Sequence, residues 1–121
     1  MAVALWTATA VTALQWGAVT ADAAETAKPR TVKVRLTKRG CPTKLTVPSG
    51  PVTFAVKNVA IKGVSEFEVL QGPNVIGEVE DISRGSTSPL TLTLDPGEYR
   101  TQCLDAKGIP VLGRLVVVAP A

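Results

Sequence analysis

A chain of 121 residues holds one domain with a modest core, and its 45% hydrophobic content excludes a disordered polymer. The formal net charge of +3 is spread over scattered basic residues that form no tract, so no nucleic acid is expected as a partner. Histidine is absent, which excludes a Ser-His-Asp or Cys-His hydrolase and a His-ligated zinc hydrolase. No phosphate loop, dinucleotide fingerprint or EF-hand loop appears either, so the chain is not read as an enzyme.

The chain opens on a leader-like segment. Met1 to Ala21 carry no charged side chain, and Ala21-Asp22-Ala23 places small residues at both specificity positions of a signal-peptidase site. Residues 1–23 are therefore read as a signal peptide, which makes the mature protein periplasmic or secreted. No Lys or Arg precedes the apolar run, which departs from the usual export signal, and a retained N-terminal anchor, marginal in length for spanning, is the alternative. Residues 24–30, with Pro29, form a linker, and residues 31–119 form the domain, which is not expected to span a membrane.

The domain reads as strands and turns. Val32, Val34 and Leu36 alternate with Lys33 and Arg35 over 31–37, the pattern of a strand with one wet face. Lys38 to Pro42 interrupt it, Lys44 to Val47 form a second strand, and Pro48-Ser49-Gly50-Pro51 turn the chain. Residues 52–58 bury Val52, Phe54 and Val56, and Gly63 permits a sharp change of direction in the irregular stretch after Asn58. Residues 65–70 send Phe67 and Val69 inward and Glu66 and Glu68 outward, and Gln71 to Asn74 form a hairpin connection to a strand over 75–82. A Ser/Gly-rich loop over 83–89 leads to strands at 90–94 and 98–103, joined by Asp95-Pro96-Gly97. Tyr99 is expected to anchor core or sheet edge through a backbone partner for its hydroxyl. The closing strand, 111–118, holds the run Leu115 to Val118 and is expected to lie between two layers. About eight strands and no helix after the leader predict an all-β protein of two packed antiparallel sheets, with a small closed barrel as the alternative.

Two cysteines, Cys41 and Cys103, are the reactive groups. An even pair in an oxidising compartment is most simply a disulfide, closing a loop of about 60 residues and contributing roughly 4 kcal/mol. The alternative leaves both as thiolates that bind a soft metal. Glu66 and Glu68 share a strand face with Cβ atoms about 6–7 Å apart, near enough to share a hard or borderline cation or to stand as ordinary solvent-facing charges. Glu78, Glu80 and Asp81 lie on the neighbouring hairpin strand and add to an acidic patch.

In their order, Gly40-Cys41-Pro42, Pro48-Ser49-Gly50-Pro51-Val52-Thr53-Phe54 to Asn58, Ser65-Glu66-Phe67-Glu68-Val69 and Pro96-Gly97-Glu98-Tyr99-Arg100-Thr101-Gln102-Cys103 resemble a cupredoxin-like domain. More narrowly, the combination resembles the N-terminal domain of EfeO-type proteins of bacterial ferrous-iron uptake, over roughly 32–118. The resemblance implies a cupredoxin-like Greek-key β-sandwich and an exported metal-binding module accessory to iron uptake. It implicates Cys41, Glu66, Glu68 and Cys103 as metal ligands for Cu(II) or iron, and an iron-uptake permease or other envelope component as partner. Ser65 stands where a blue-copper protein of this family has a histidine, and Leu104 to Leu112 supply neither a second histidine nor a methionine. A blue-copper centre is therefore not expected. If Cys41 and Cys103 pair as a disulfide, no cofactor is expected, and the alternative function is a non-catalytic, disulfide-stapled interaction or structural domain of the cell envelope.

Overall fold

The computed structural model describes residues 28–119, so the predicted leader and the linker before Lys28 lie outside the described residues. Within the described residues eight strands follow one another without a helix. They are β1 (Arg30–Leu36), β2 (Lys44–Pro48), β3 (Gly50–Asn58), β4 (Val64–Gln71), β5 (Asn74–Ser83), β6 (Thr87–Leu94), β7 (Gly97–Leu104) and β8 (Pro110–Val118). They form a sandwich of a three-stranded sheet, β1-β3-β6, and a five-stranded sheet, β2-β8-β7-β4-β5. Only β4–β5 and β7–β8 are hairpins within one sheet; every other connection crosses between layers.

The sheets are mixed, where the sequence reading expected antiparallel pairing throughout. β1 runs parallel to β3 and β2 parallel to β8. The cause is the crossover order: β2 leaves the first sheet to pair with β8, and β3 then returns beside β1 in the same direction. The two-layer arrangement also sets aside the closed barrel. β6 begins at Thr87, inside the predicted loop, because Thr87, Ser88 and Pro89 pair with Lys57, Val56 and Ala55. Pro89 lacks a donor and is tolerated because β6 is an edge strand.

Inward residues of both layers make the core. Val34, Leu36, Val52, Phe54 and Val56 face Phe67, Val69, Ile82, Tyr99, Leu115 and Val117, all buried. Phe54 and Phe67 meet between the sheets with ring centroids 5.8 Å apart and a tilt of 48°, a favourable aromatic geometry. Tyr99 donates its hydroxyl to Asp95 O at 2.9 Å, the backbone anchor expected of it. β8 corrects the reading of a strand covered on both faces. Leu115 and Val117 are buried, whereas Val118 is 43% exposed and Val116 half-buried, because only one face of this sheet is covered. Among the described residues no helix is long and apolar enough to cross a membrane.

Candidate functional site: a disulfide and an acidic face on opposite sides of one sheet

The β1–β2 connection is folded to deliver Cys41. Thr37 and Gly40 exchange backbone hydrogen bonds of 3.0 and 2.9 Å around Lys38 and Arg39, so the chain reverses tightly. Gly40 adopts φ +95°. A side chain there would also place its Cβ 2.8 Å from Val111 Cγ2 and 3.2 Å from Cys103 Sγ, so glycine is required on both counts. The next residue, Cys41, is bonded to Cys103 in β7, with Cα atoms 6.1 Å apart at a sequence separation of 62. The Cys41 N–H also donates to Cys103 Sγ at 2.8 Å. Both cysteines are buried, at 5% and 1% exposure, and no free cysteine is present among the described residues.

Cys103 pairs directly with Phe67 across β4–β7, while Glu68 pairs with Gln102. Phe67 is fully buried, and Glu66 and Glu68 are half-buried on the opposite side of the pleat. The strand period of two thus sends both sulfurs into the sandwich and both carboxylates out of it. The structure brings Cys41 to Cys103, and Glu66 to the side of Glu68. It does not bring the two pairs to one point.

On the outer face Glu68 sits opposite Glu78 on β5. Glu66 lies at a bulge, where the register shifts between Ser65 and Phe67 and Asp81 adopts φ +56°. Burial first, then the negative charges of Glu66, Glu78 and Glu80, push the Glu68 carboxyl above the ordinary glutamate range. Even so, among the described residues no three His, Cys, Asp or Glu side chains are grouped to hold a metal ion. A depression of about 270 Å³ lies at the bulge, lined by Val64, Ser65, Glu66, Glu80, Asp81 and Leu104. Another depression, about 360 Å³ between Gly72, Tyr99 and Arg114, touches none of the four predicted ligands.

Ser65 and Asn58 complete the surroundings. Ser65 is 4% exposed and its Oγ has no hydrogen-bond partner among the described residues. Asn58 is fully buried and ties the β3–β4 connection to β5. Its amide donates to Ile61 O at 3.0 Å and Ile82 O at 2.9 Å, and its Oδ1 accepts from Ile61 N at 2.8 Å. Sequence reasoning gave Asn58 no role beyond ending a motif; a polar residue closing an otherwise apolar alternation was the available signal.

An eight-stranded sandwich of this order, with a cysteine in the β1–β2 crossover bonded to one near the end of β7, defines a disulfide-closed cupredoxin-like domain. The family profile described as a cupredoxin-like domain matches residues 7–117, and the chain belongs to that family. Among curated proteins it is similar to the iron uptake system component EfeO of Yersinia pestis, 42% identical over 86 residues, covering 70% of this chain and 23% of the relative. It is likewise similar to EfeO of Escherichia coli (strain K12), 37% identical over 94 residues, covering 77% of this chain and 24% of the relative. The chain thus spans about a quarter of the length of these relatives. Among solved structures, a reduced single-site mutant of amicyanin superposes with a TM-score of 0.50 at 16% identity, over 78% of this chain and 89% of that one, which supports the fold alone.

Proposed function

We propose that this domain is a non-catalytic interaction module of a bacterial iron-uptake system, exported to the cell envelope and held in shape by the Cys41–Cys103 disulfide. One observation carries the reading. The cysteine that the family resemblance assigns to metal ligation is consumed in a buried disulfide, on the far side of the sheet from Glu66 and Glu68. The similarity to EfeO proteins, described as iron uptake system components, supports the pathway assigned in this reading. A disulfide suits the oxidising compartment to which a leader over 1–23 would deliver the chain. The partner is an iron-uptake permease or another envelope component. The apolar side chains exposed for docking are Val64, at 58%, and Ile109 and Leu112, at 55% each; by register Leu112 lies on the outer face with Gln102 and Glu68. Titrating the oxidised full chain against the permease reconstituted in nanodiscs is expected to show saturable binding. Ile109→Asp with Leu112→Asp is expected to weaken it at least about tenfold. Absence of binding, or no effect of the double variant, contradicts the proposal.

The acidic outer face favours a second reading, in which Glu66 and Glu68 hold Cu(II) or iron without the cysteines, which lie on the other side of the sheet. Its support is the gathering of carboxylates on this face, where burial and then the charges of Glu66, Glu78 and Glu80 raise the Glu68 pKa. Calorimetry with Cu(II) or iron on the oxidised and reduced protein tests it. A signal abolished by Glu66→Gln with Glu68→Gln supports the carboxylate site, and a signal that survives removes it.

A further inference from the structure

The two outer faces of the sandwich carry opposite charge. The three-stranded sheet contributes Arg30, Lys33, Arg35 and Lys57 and no Asp or Glu. The five-stranded sheet contributes Glu66, Glu68, Glu78, Glu80, Asp81 and Glu98 against Lys44, Arg100 and Arg114. On the basic side Arg35 stands beside Lys57, and Lys33 beside Ala55 one pleat away. All three cations are exposed. They line an open depression of about 290 Å³ floored by Ala55 and bounded by Thr87. The one ion pair among the described residues, Arg114 with Glu98, belongs to the other sheet, so none of the three is neutralised by a described carboxylate.

We propose that this basic face docks the domain on an anionic phospholipid surface, with Lys33, Arg35 and Lys57 engaging headgroup phosphates. Complementary charge is the first argument, because juxtaposed cations facing an anionic bilayer add their attractions. The second is what the face lacks. Its remaining side chains are threonines, Ala55 and the prolines Pro51 and Pro89, and Thr53 and Thr91 spend their hydroxyls on each other at 2.8 Å. No aromatic or large aliphatic anchor is present, as a protein hot spot requires. The third is spacing along two adjacent strands: the cations form an open row suited to several phosphates, not an enclosed cradle for one. The inference is independent of the iron-uptake reading, since it concerns the outer face of the three-stranded sheet, whereas Cys103, Val64 and Leu112 belong to the five-stranded one.

Co-sedimentation of the full chain with phosphatidylcholine vesicles, with and without phosphatidylglycerol, tests it. Binding is expected only with phosphatidylglycerol and is expected to fall as salt is raised. Lys33→Gln, Arg35→Gln and Lys57→Gln together are expected to lower the affinity about 100-fold at low ionic strength. Lys44→Gln, Arg100→Gln and Arg114→Gln together remove the same formal charge from the other sheet, and are expected to leave affinity within about threefold. Circular dichroism melting confirms that both variants fold. Equal losses in the two variants overturn the proposal by showing a diffuse charge effect. It is also overturned by no binding to phosphatidylglycerol vesicles, including the case in which inorganic phosphate alone binds at Lys33, Arg35 and Lys57.

Discussion

Asn58 and Glu68 show two ways in which a single polar group sets the stability of this sandwich. Asn58 satisfies three backbone groups of the β3–β4 and β5 segments from a fully buried position. Its truncation leaves those groups buried without partners. Asn58→Ala is expected to cost about 3 kcal/mol in urea unfolding, and a loss indistinguishable from a surface substitution contradicts this role. Glu68 acts in the other direction. Its folded-state pKa is raised, by burial and then by its three glutamate neighbours, so the folded chain holds the proton more tightly than the unfolded chain. Its contribution favours folding below the ordinary carboxylate range and is lost as pH rises through the raised value. Glu68→Gln is therefore expected to raise the urea midpoint at neutral pH and to narrow its advantage on acidification. A lower midpoint at neutral pH contradicts the charge-crowding account.

Strand identity was legible from local pattern, and strand partnership was not. The alternation of Val34 and Leu36 with Lys33 and Arg35, or of Phe67 and Val69 with Glu66 and Glu68, reports a face without reporting what covers it. The parallel pairs β1–β3 and β2–β8 depend on crossovers between layers, which no local window contains. The apolar run of β8 misled for the same reason: Val116 and Val118 suggest cover on both faces, while the sheet has a partner layer on one. Glycine marks where these elements approach most closely. At Gly113 in β8 a Cβ would lie 2.7 Å from Pro42 O and would strike Thr101 Oγ1. The neighbouring Arg114 N donates to Thr43 O at 2.8 Å, tying β8 to the segment that leads into β2. Gly113→Ala is expected to cost about 2 kcal/mol and to weaken amide-exchange protection across β2. Unchanged protection there contradicts the close-approach argument.

For the molecule as a whole, the cysteine pair ties the β1–β2 crossover to β7 across 62 positions. A link of that span contributes about 4 kcal/mol in the chain-entropy account. Its existence was legible in an even count of two cysteines, but its relation to Glu66 and Glu68 was not. The family resemblance grouped all four, whereas alternation along β4 together with the Phe67–Cys103 register divides them between the two faces of one sheet. Register is a three-dimensional fact, and the sequence alone carries no marker for it here.

The central claim is that these cysteines serve as a staple and not as metal ligands. A free-thiol count on the unreduced, denatured protein, with and without prior addition of Cu(II), tests it most directly. The account predicts no titratable thiol in either sample and a mass two hydrogens below that of the reduced chain. Two free thiols that become protected when Cu(II) is added would contradict it.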